Sequence, residues 1–163
     1  MIRVRPYATC DLERVAELFT TSVHELTASR YSPEQRQAWA PRPPDLKQWE
    51  VRLRNLRTLI AEVDARAVGF LSYQSDGYVD LLYVRPQFER AGVATHLYEY
   101  VEKIFIETDV ASAYTEASLI AQPFFVRHGF HTSRFEEIRV SGTLLQRWVM
   151  FKSLKVSPSL RTP

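Results

Sequence analysis

A single cysteine, Cys10, occurs in the 163 residues. No internal disulfide can form, no thiolate pair can seat a metal, and the usage suits a reducing, cytoplasmic setting. Cys10 itself reads as a small residue near a helix start. Long apolar runs are missing as well. Nothing approaches the roughly 18 consecutive apolar residues that span a bilayer, and Met1-Ile2-Arg3-Val4-Arg5 has no apolar secretory segment. No membrane partner is expected. An excess of one charge is absent too, since 21 Lys and Arg meet 19 Asp and Glu for a formal net charge of +2. The cations are scattered, which argues against nucleic acid as the main partner but leaves room for a local anion site. His24, His96, His128 and His131 show no ligand spacing, so no metal is expected. Internal repeats are absent, and the one compositionally biased stretch, 156–163, is expected to be a flexible tail.

What is present suits a folded domain over residues 1–155: 45% hydrophobic residues in a chain long enough to bury most of its apolar surface. Residues 2–5 read as a strand. Thr9 is placed to cap a helix carrying Leu12, Val15, Ala16, Phe19, Val23 and Leu26 at 3.6-residue spacing. Ser32-Pro33-Glu34-Gln35 follows the capping-box pattern with proline at the first helical position, which predicts a short helix to about residue 40. Pro41, Pro43 and Pro44 end it, and Asp45-Leu46-Lys47-Gln48 starts a third helix through Val51 and Leu56. Strands follow at 58–63 and 67–74, then a hairpin turn at Ser75-Asp76-Gly77, then a strand at 78–84. A helix from Gly92 to about 107–109, a strand at 113–117, a helix at 120–128 and a closing hairpin of 130–139 with 143–153 complete the chain. The fold class is α/β with a mixed, mostly antiparallel sheet, in the order β-α-α-(α)-β-β-β-α-β-α-β-β.

The capping of the helix after residue 92 is unusual. A helix N-terminus carries up to four N–H donors without intrahelical partners, normally met by a Ser, Thr, Asp or Asn cap and nearby acidic residues. Here the cap region is Ala91-Gly92, and no acidic residue follows Glu89 until Glu99. Either glycine and water cap an ordinary helix, or the donors await an outside anion such as a phosphate.

Glu89-Arg90-Ala91-Gly92-Val93-Ala94 resembles the pyrophosphate loop of the GCN5-related N-acetyltransferases, the GNAT superfamily. Its first position departs, because Glu89 stands where that family usually has Gln or Arg. The carboxylate is therefore expected either to point away from the diphosphate or to weaken its binding. Phe70-Leu71-Ser72-Tyr73 and Val79-Asp80-Leu81-Leu82-Tyr83-Val84 resemble the family's central strands. The stretch from Ala117-Ser118 through Phe124-Phe125 to Gly129-Phe130 resembles its second cofactor motif, and Trp148 to Leu154 its closing strand. His24, Tyr31, Gln35 and Trp39, with the paired phenylalanines, resemble a bacterial branch of the superfamily with few defined substrates.

The resemblance implies an N-acetyltransferase that moves an acetyl group from acetyl-CoA to a primary amine by direct attack in a ternary complex. The cofactor would meet Glu89, Arg90, Ala91, Gly92, Val93, Ala94 and Thr95 at its diphosphate, Leu82, Tyr83 and Val84 along its pantetheine, and Ser118, Phe124 and Phe125 beyond. Such chemistry needs a base for the protonated amine and a donor for the oxyanion. Asp80 is the candidate base, or else an ordinary strand carboxylate. The family's usual acid is a tyrosine where this chain has Phe125, so another group supplies the proton or the thiolate leaves unaided. Tyr31 and His24 are the candidates, since imidazole is the side chain that titrates near neutral pH; each is equally readable as a packed residue. His24, Tyr31, Gln35 and Trp39 would line the acceptor pocket, although Gln35 is already the capping partner of Ser32 and Trp39 suits a core. The acceptor is a small-molecule or peptide amine, and the chain a monomer or a homodimer paired through its closing hairpin. A non-catalytic acyl-CoA sensor or interaction module is the alternative, favoured by Phe125 and Glu89; a partner-binding domain without CoA rests on Glu89 alone.

Overall fold

The computed structural model describes residues 1–155, so the tail expected at 156–163 lies outside the described residues. Alternation of apolar and polar residues produces seven strands: β1 (Arg3–Pro6), β2 (Arg57–Val63), β3 (Arg66–Tyr73), β4 (Tyr78–Val84), β5 (Ser112–Ser118), β6 (His131–Val140) and β7 (Thr143–Ser153). They form one sheet in the order β1-β2-β3-β4-β5-β7-β6, and its pairs are antiparallel except β4 with β5. The helices are α1 (Leu12–Leu26), α2 (Pro33–Trp39), α3 (Leu46–Arg54), α4 (Val93–Glu107) and α5 (Gln122–Arg127).

Two apolar layers sandwich the sheet. On one face α4 buries Val93, Leu97, Tyr98, Val101 and Phe105 against Leu71, Val79 and Met150. On the other, α1 and α3 pack Val15, Phe19, Val23, Trp49 and Leu53 onto Ile60, Phe70 and Leu81. Burial of such side chains is worth about 1.5–3 kcal/mol each against conformational entropy. Ser32 and Gln35 make the expected reciprocal capping box of α2. Thr9 does not cap α1. It sits in a single 3-10 turn, Thr9–Asp11, where the Asp11 carboxylate accepts from the Ala8 N–H at 2.9 Å.

Two irregularities shape the middle of the sheet. β4 pairs Leu81 with Ser72 and Val79 with Tyr73, which leaves Asp80 as an extra bulged residue. The bulge places Asp80 and Leu81 consecutively toward the α1–α3 side, breaking the strand's alternation. In addition, β4 and β5 pair only at Tyr78 with Tyr114 and Val79 with Thr115. Beyond those rungs the two parallel strands splay apart.

Candidate active site

The loop after β4 presents main-chain donors. A 3-10 turn at Pro86–Phe88 leads to Arg90 at φ 60° and Gly92 at φ 83°, and the latter is the N-cap of α4 without any side-chain cap. Ala91 donates its N–H to the Phe88 carbonyl at 3.2 Å. The N–H groups of Arg90, Gly92, Val93, Ala94 and Thr95 have no protein acceptor among the described residues. Five of the seven loop amides expected at the diphosphate are therefore uncommitted, the exceptions being Ala91 and Glu89, whose N–H donates to the Pro86 carbonyl at 3.1 Å. Glu89 is exposed and makes no ion pair among the described residues.

The splay opens the sheet edge beside this loop. Arg85 donates its N–H to Val68 on β3, so strand alternation turns the main-chain groups of Val84 and Leu82 toward the gap. The buried Ser22 hydroxyl already donates to the Val84 carbonyl at 2.6 Å. A cavity of about 280 Å³ fills the gap on the α1–α3 side, walled by Phe19, Tyr31, Trp39, Tyr83, Leu145 and the charged set described next. Arg52 donates from Nε and Nη2 to Asp80 at 3.1–3.3 Å. The Tyr78 hydroxyl lies 2.8 Å from Glu116 Oε2 and 3.3 Å from Asp80 Oδ1, joining the two carboxylates across the splay. Burial, then the bond to Glu116 and the charge of Asp80, hold this phenol well above its ordinary pKa. Arg147 closes the chain, with Nη1 3.2 Å from Glu116 and Nε 2.6 Å from Glu136.

A family model described as an acetyltransferase (GNAT) domain matches residues 27–150. The chain belongs to the GNAT acetyltransferase family. It is 32% identical over 149 residues to the N-acetyltransferase YafP of Escherichia coli K12, covering 91% of this chain and 94% of that protein. A GCN5-related N-acetyltransferase from Rhodopseudomonas palustris superposes with a TM-score of 0.89 at 32% identity, over 93% of this chain and 94% of its own. The PaiA N-acetyltransferase of Thermoplasma acidophilum, solved in complex with coenzyme A, has a TM-score of 0.74 at 19% identity over 94% and 99% of the two chains, a likeness of fold. The mixed seven-stranded sheet flanked by helices is the GNAT architecture these neighbours share.

Within this GNAT cleft the residues singled out from sequence separate into two groups. Asp80, Tyr83, Leu82, Ser118, Phe125, Tyr31 and Trp39 line the cavity. Ser118 accepts the Ala121 N–H at 3.0 Å. Tyr31 donates to the Gln146 carbonyl at 2.7 Å and accepts from the Leu119 N–H at 2.9 Å, and burial pushes its pKa up. That hydroxyl clasps the chain after α1 to the ends of β5 and β7. Trp39 meets Tyr31 edge to face at 5.1 Å. His24 and Gln35 are not part of the cavity wall. His24 Nε2 lies 2.8 Å from the Ala40 carbonyl, and Gln35 follows its capping role with a bond from Nε2 to the Leu144 carbonyl at 2.9 Å. Phe124 packs at 4.2 Å on the ring of His128, outside the wall, whereas Phe125 is buried among Tyr98, Phe124 and Phe130.

Sequence reasoning missed Arg52, Tyr78, Glu116 and Arg147. The alternation of Tyr114, Glu116 and Ser118 against buried Ala113, Thr115 and Ala117 carried a signal for Glu116. It also missed the side chain of Tyr83, whose O–H proton has no protein acceptor among the described residues. Its ring stacks on Phe70 at 5.7 Å and meets Phe19 edge to face at 4.7 Å. Burial pushes this phenol up, against smaller opposing effects of Arg52 and the Trp39 indole. Among the described residues no group of three or more His, Cys, Asp or Glu could hold a metal, and no helix is long and apolar enough to cross a membrane.

Proposed function

We propose that this GNAT chain transfers an acetyl group from acetyl-CoA to a primary amine by direct attack in a ternary complex, with residues 1–155 as one cytoplasmic acyltransferase unit. The observation that carries this reading is the row of uncommitted amides at Arg90 and Gly92–Thr95, beside strands that have separated. Such amides at a helix N-terminus suit the diphosphate of coenzyme A, the ligand seen in the PaiA neighbour. Leu82 and the Val84 N–H are positioned to pair with the pantetheine as a missing strand would. Ser22 competes for the Val84 carbonyl, so that acceptor contributes less.

The thioester supplies an electrophilic carbonyl and a good leaving group. An ammonium in the cavity loses one proton to become nucleophilic; Asp80 is the proposed acceptor, with Glu116 linked to it through Tyr78. The nitrogen lone pair forms the N–C bond, the C–S bond breaks, and the second nitrogen proton ends on the thiolate. Tyr83 is better placed than Tyr31 to relay it, because the Tyr31 proton is held by Gln146. Phe125 supplies packing only. A main-chain amide of the splayed β4 edge is the proposed oxyanion donor.

A thermal-shift titration with acetyl-CoA tests the binding half. Ligand at about a hundred times Kd should stabilise the chain by about 2.7 kcal/mol, or roughly 5–10 °C. Gly92→Val should abolish most of that shift. A Cβ there meets only His96 at 3.8 Å, so the damage comes from φ 83° rather than from crowding. An unchanged shift in that variant would refute the loop assignment. Thiol release with a panel of amines then separates the transferase from a non-catalytic acyl-CoA binder, which Phe125 and Glu89 favour.

A further inference from the structure

The charged groups of the cavity wall balance, with Arg52 and Arg147 against Asp80 and Glu116. A pocket built for a polyamine or another polycation would carry surplus carboxylate, since each desolvated ammonium needs a counter-charge. That surplus is missing. Internal pairing leaves a mostly donating set. Arg52 keeps Nη1 and Arg147 keeps Nη2 without a protein partner among the described residues. The Ser118 and Tyr83 hydroxyl protons are uncommitted as well. Against these four donors stands Glu116 Oε1, whose sister oxygen alone takes the contacts from Tyr78 and Arg147. Guanidinium forks match carboxylates in shape and charge, and a lone carboxylate oxygen matches an ammonium. Phe19, Trp39, Tyr83 and Leu145 give the cavity an aromatic and aliphatic side, and Thr115 and Gln146 also line it. At about 280 Å³ the cavity lies just below the usual range for small-molecule sites of roughly 300–1,000 Å³.

Resting on the acyltransfer reading above, we propose that the acceptor is a free α-amino acid with an apolar or aromatic side chain. Its ammonium faces Glu116, its carboxylate faces the uncommitted guanidinium edges of Arg52 and Arg147, and its side chain lies on Phe19 and Trp39. The α-ammonium gives one proton to the carboxylate pair Glu116 and Asp80 linked through Tyr78, the nitrogen bonds to the acetyl carbon, the C–S bond breaks, and the thiolate takes the second proton. The products are an N-acetylamino acid and free coenzyme A.

The test is thiol release by the full chain with matched acceptors: phenylalanine, phenylalaninamide and phenethylamine, the corresponding leucine series, and spermidine. Acetyl-CoA binding is measured separately by calorimetry. The amino acids should exceed their carboxylate-free partners in kcat/KM by about tenfold or more. Arg52→Gln and Arg147→Gln should each narrow that ratio, chiefly through the KM of the amino acid, with phenethylamine as the reference within each variant. Equal or better turnover of phenethylamine or spermidine overturns the assignment, as does a ratio that neither variant changes, or acetyl-CoA binding without turnover of any amino acid. Failure to bind acetyl-CoA defeats the acyltransfer reading itself and is distinguishable from all of these.

Discussion

Asp80 illustrates what a single residue's surroundings add to its identity. A strand carboxylate facing a cleft is legible from the sequence, and Asp80 does line the cavity. Its guanidinium partner comes from α3, 28 residues away in the chain, and no local pattern announces that contact. Replacing Asp80 by Asn keeps the shape and removes the charge proposed to accept a proton. Turnover should fall by about 10²-fold or more, while the acetyl-CoA Kd stays within about twofold. Steady-state kinetics beside a binding titration read the two separately. A normal kcat would hand the base role to Glu116, whose Oε1 has no partner among the described residues. Tyr31 and His24 show the converse. Both were readable as proton donors or as packed residues, and in each the polar atom meets a main-chain carbonyl, Gln146 for one and Ala40 for the other. Residue type names the chemistry that is possible; the nearest hydrogen-bond partner selects among the possibilities.

Elements were legible where a period or a cap was strong. The boundaries of β4 and β7 and the capping box of α2 follow from alternation and from Ser32-Pro33-Glu34-Gln35. The bulge at Asp80 and the parting of β4 from β5 were not, because each depends on how a neighbouring strand pairs rather than on the strand's own sequence. The depth at which α4 sits on the sheet is likewise a pairwise property, and Gly69 sets it. A Cβ on Gly69 would stand 2.7 Å from Val93 Cγ1 and 3.1 Å from the Tyr83 carbonyl. Val93 is the first residue of α4, so the same contact fixes the helix end that carries the uncommitted amides. Gly69→Ala should destabilise the chain by about 1–3 kcal/mol. It should also weaken acetyl-CoA binding, by displacing that helix end. Trimming the opposing side chain with Val93→Ala should recover part of the loss in a double-mutant cycle read by urea melts. Strictly additive losses would mean that the two side chains do not compete for one space.

At the scale of the molecule, the sheet's first strand is held by charge as well as by pairing. Arg5 on β1 donates to both oxygens of Asp11 at 2.7 and 2.9 Å and, from Nε, to Glu62 on β2 at 2.8 Å. The Asp11 side chain is fully buried at the start of α1, so one carboxylate ties the edge of the sheet to the helix that roofs the cavity. Its bond from Arg5 holds its pKa below the ordinary value, outweighing the upward push of burial, and the Ala8 N–H adds to the depression. A carboxyl depressed in the folded state stabilises fully above its unfolded pKa, near ~3.9, and loses that contribution as pH falls through the folded value. Asp11→Asn should therefore cost about 2–4 kcal/mol near neutral pH, because it leaves Arg5 short of a charged acceptor. Urea midpoints taken from pH 7 downward should show that penalty shrinking below about pH 4 as wild-type Asp11 takes up its proton. A penalty that stays constant to pH 2 would locate the loss in packing around the side chain and remove the ion pair from the account of how the sheet's edge is held.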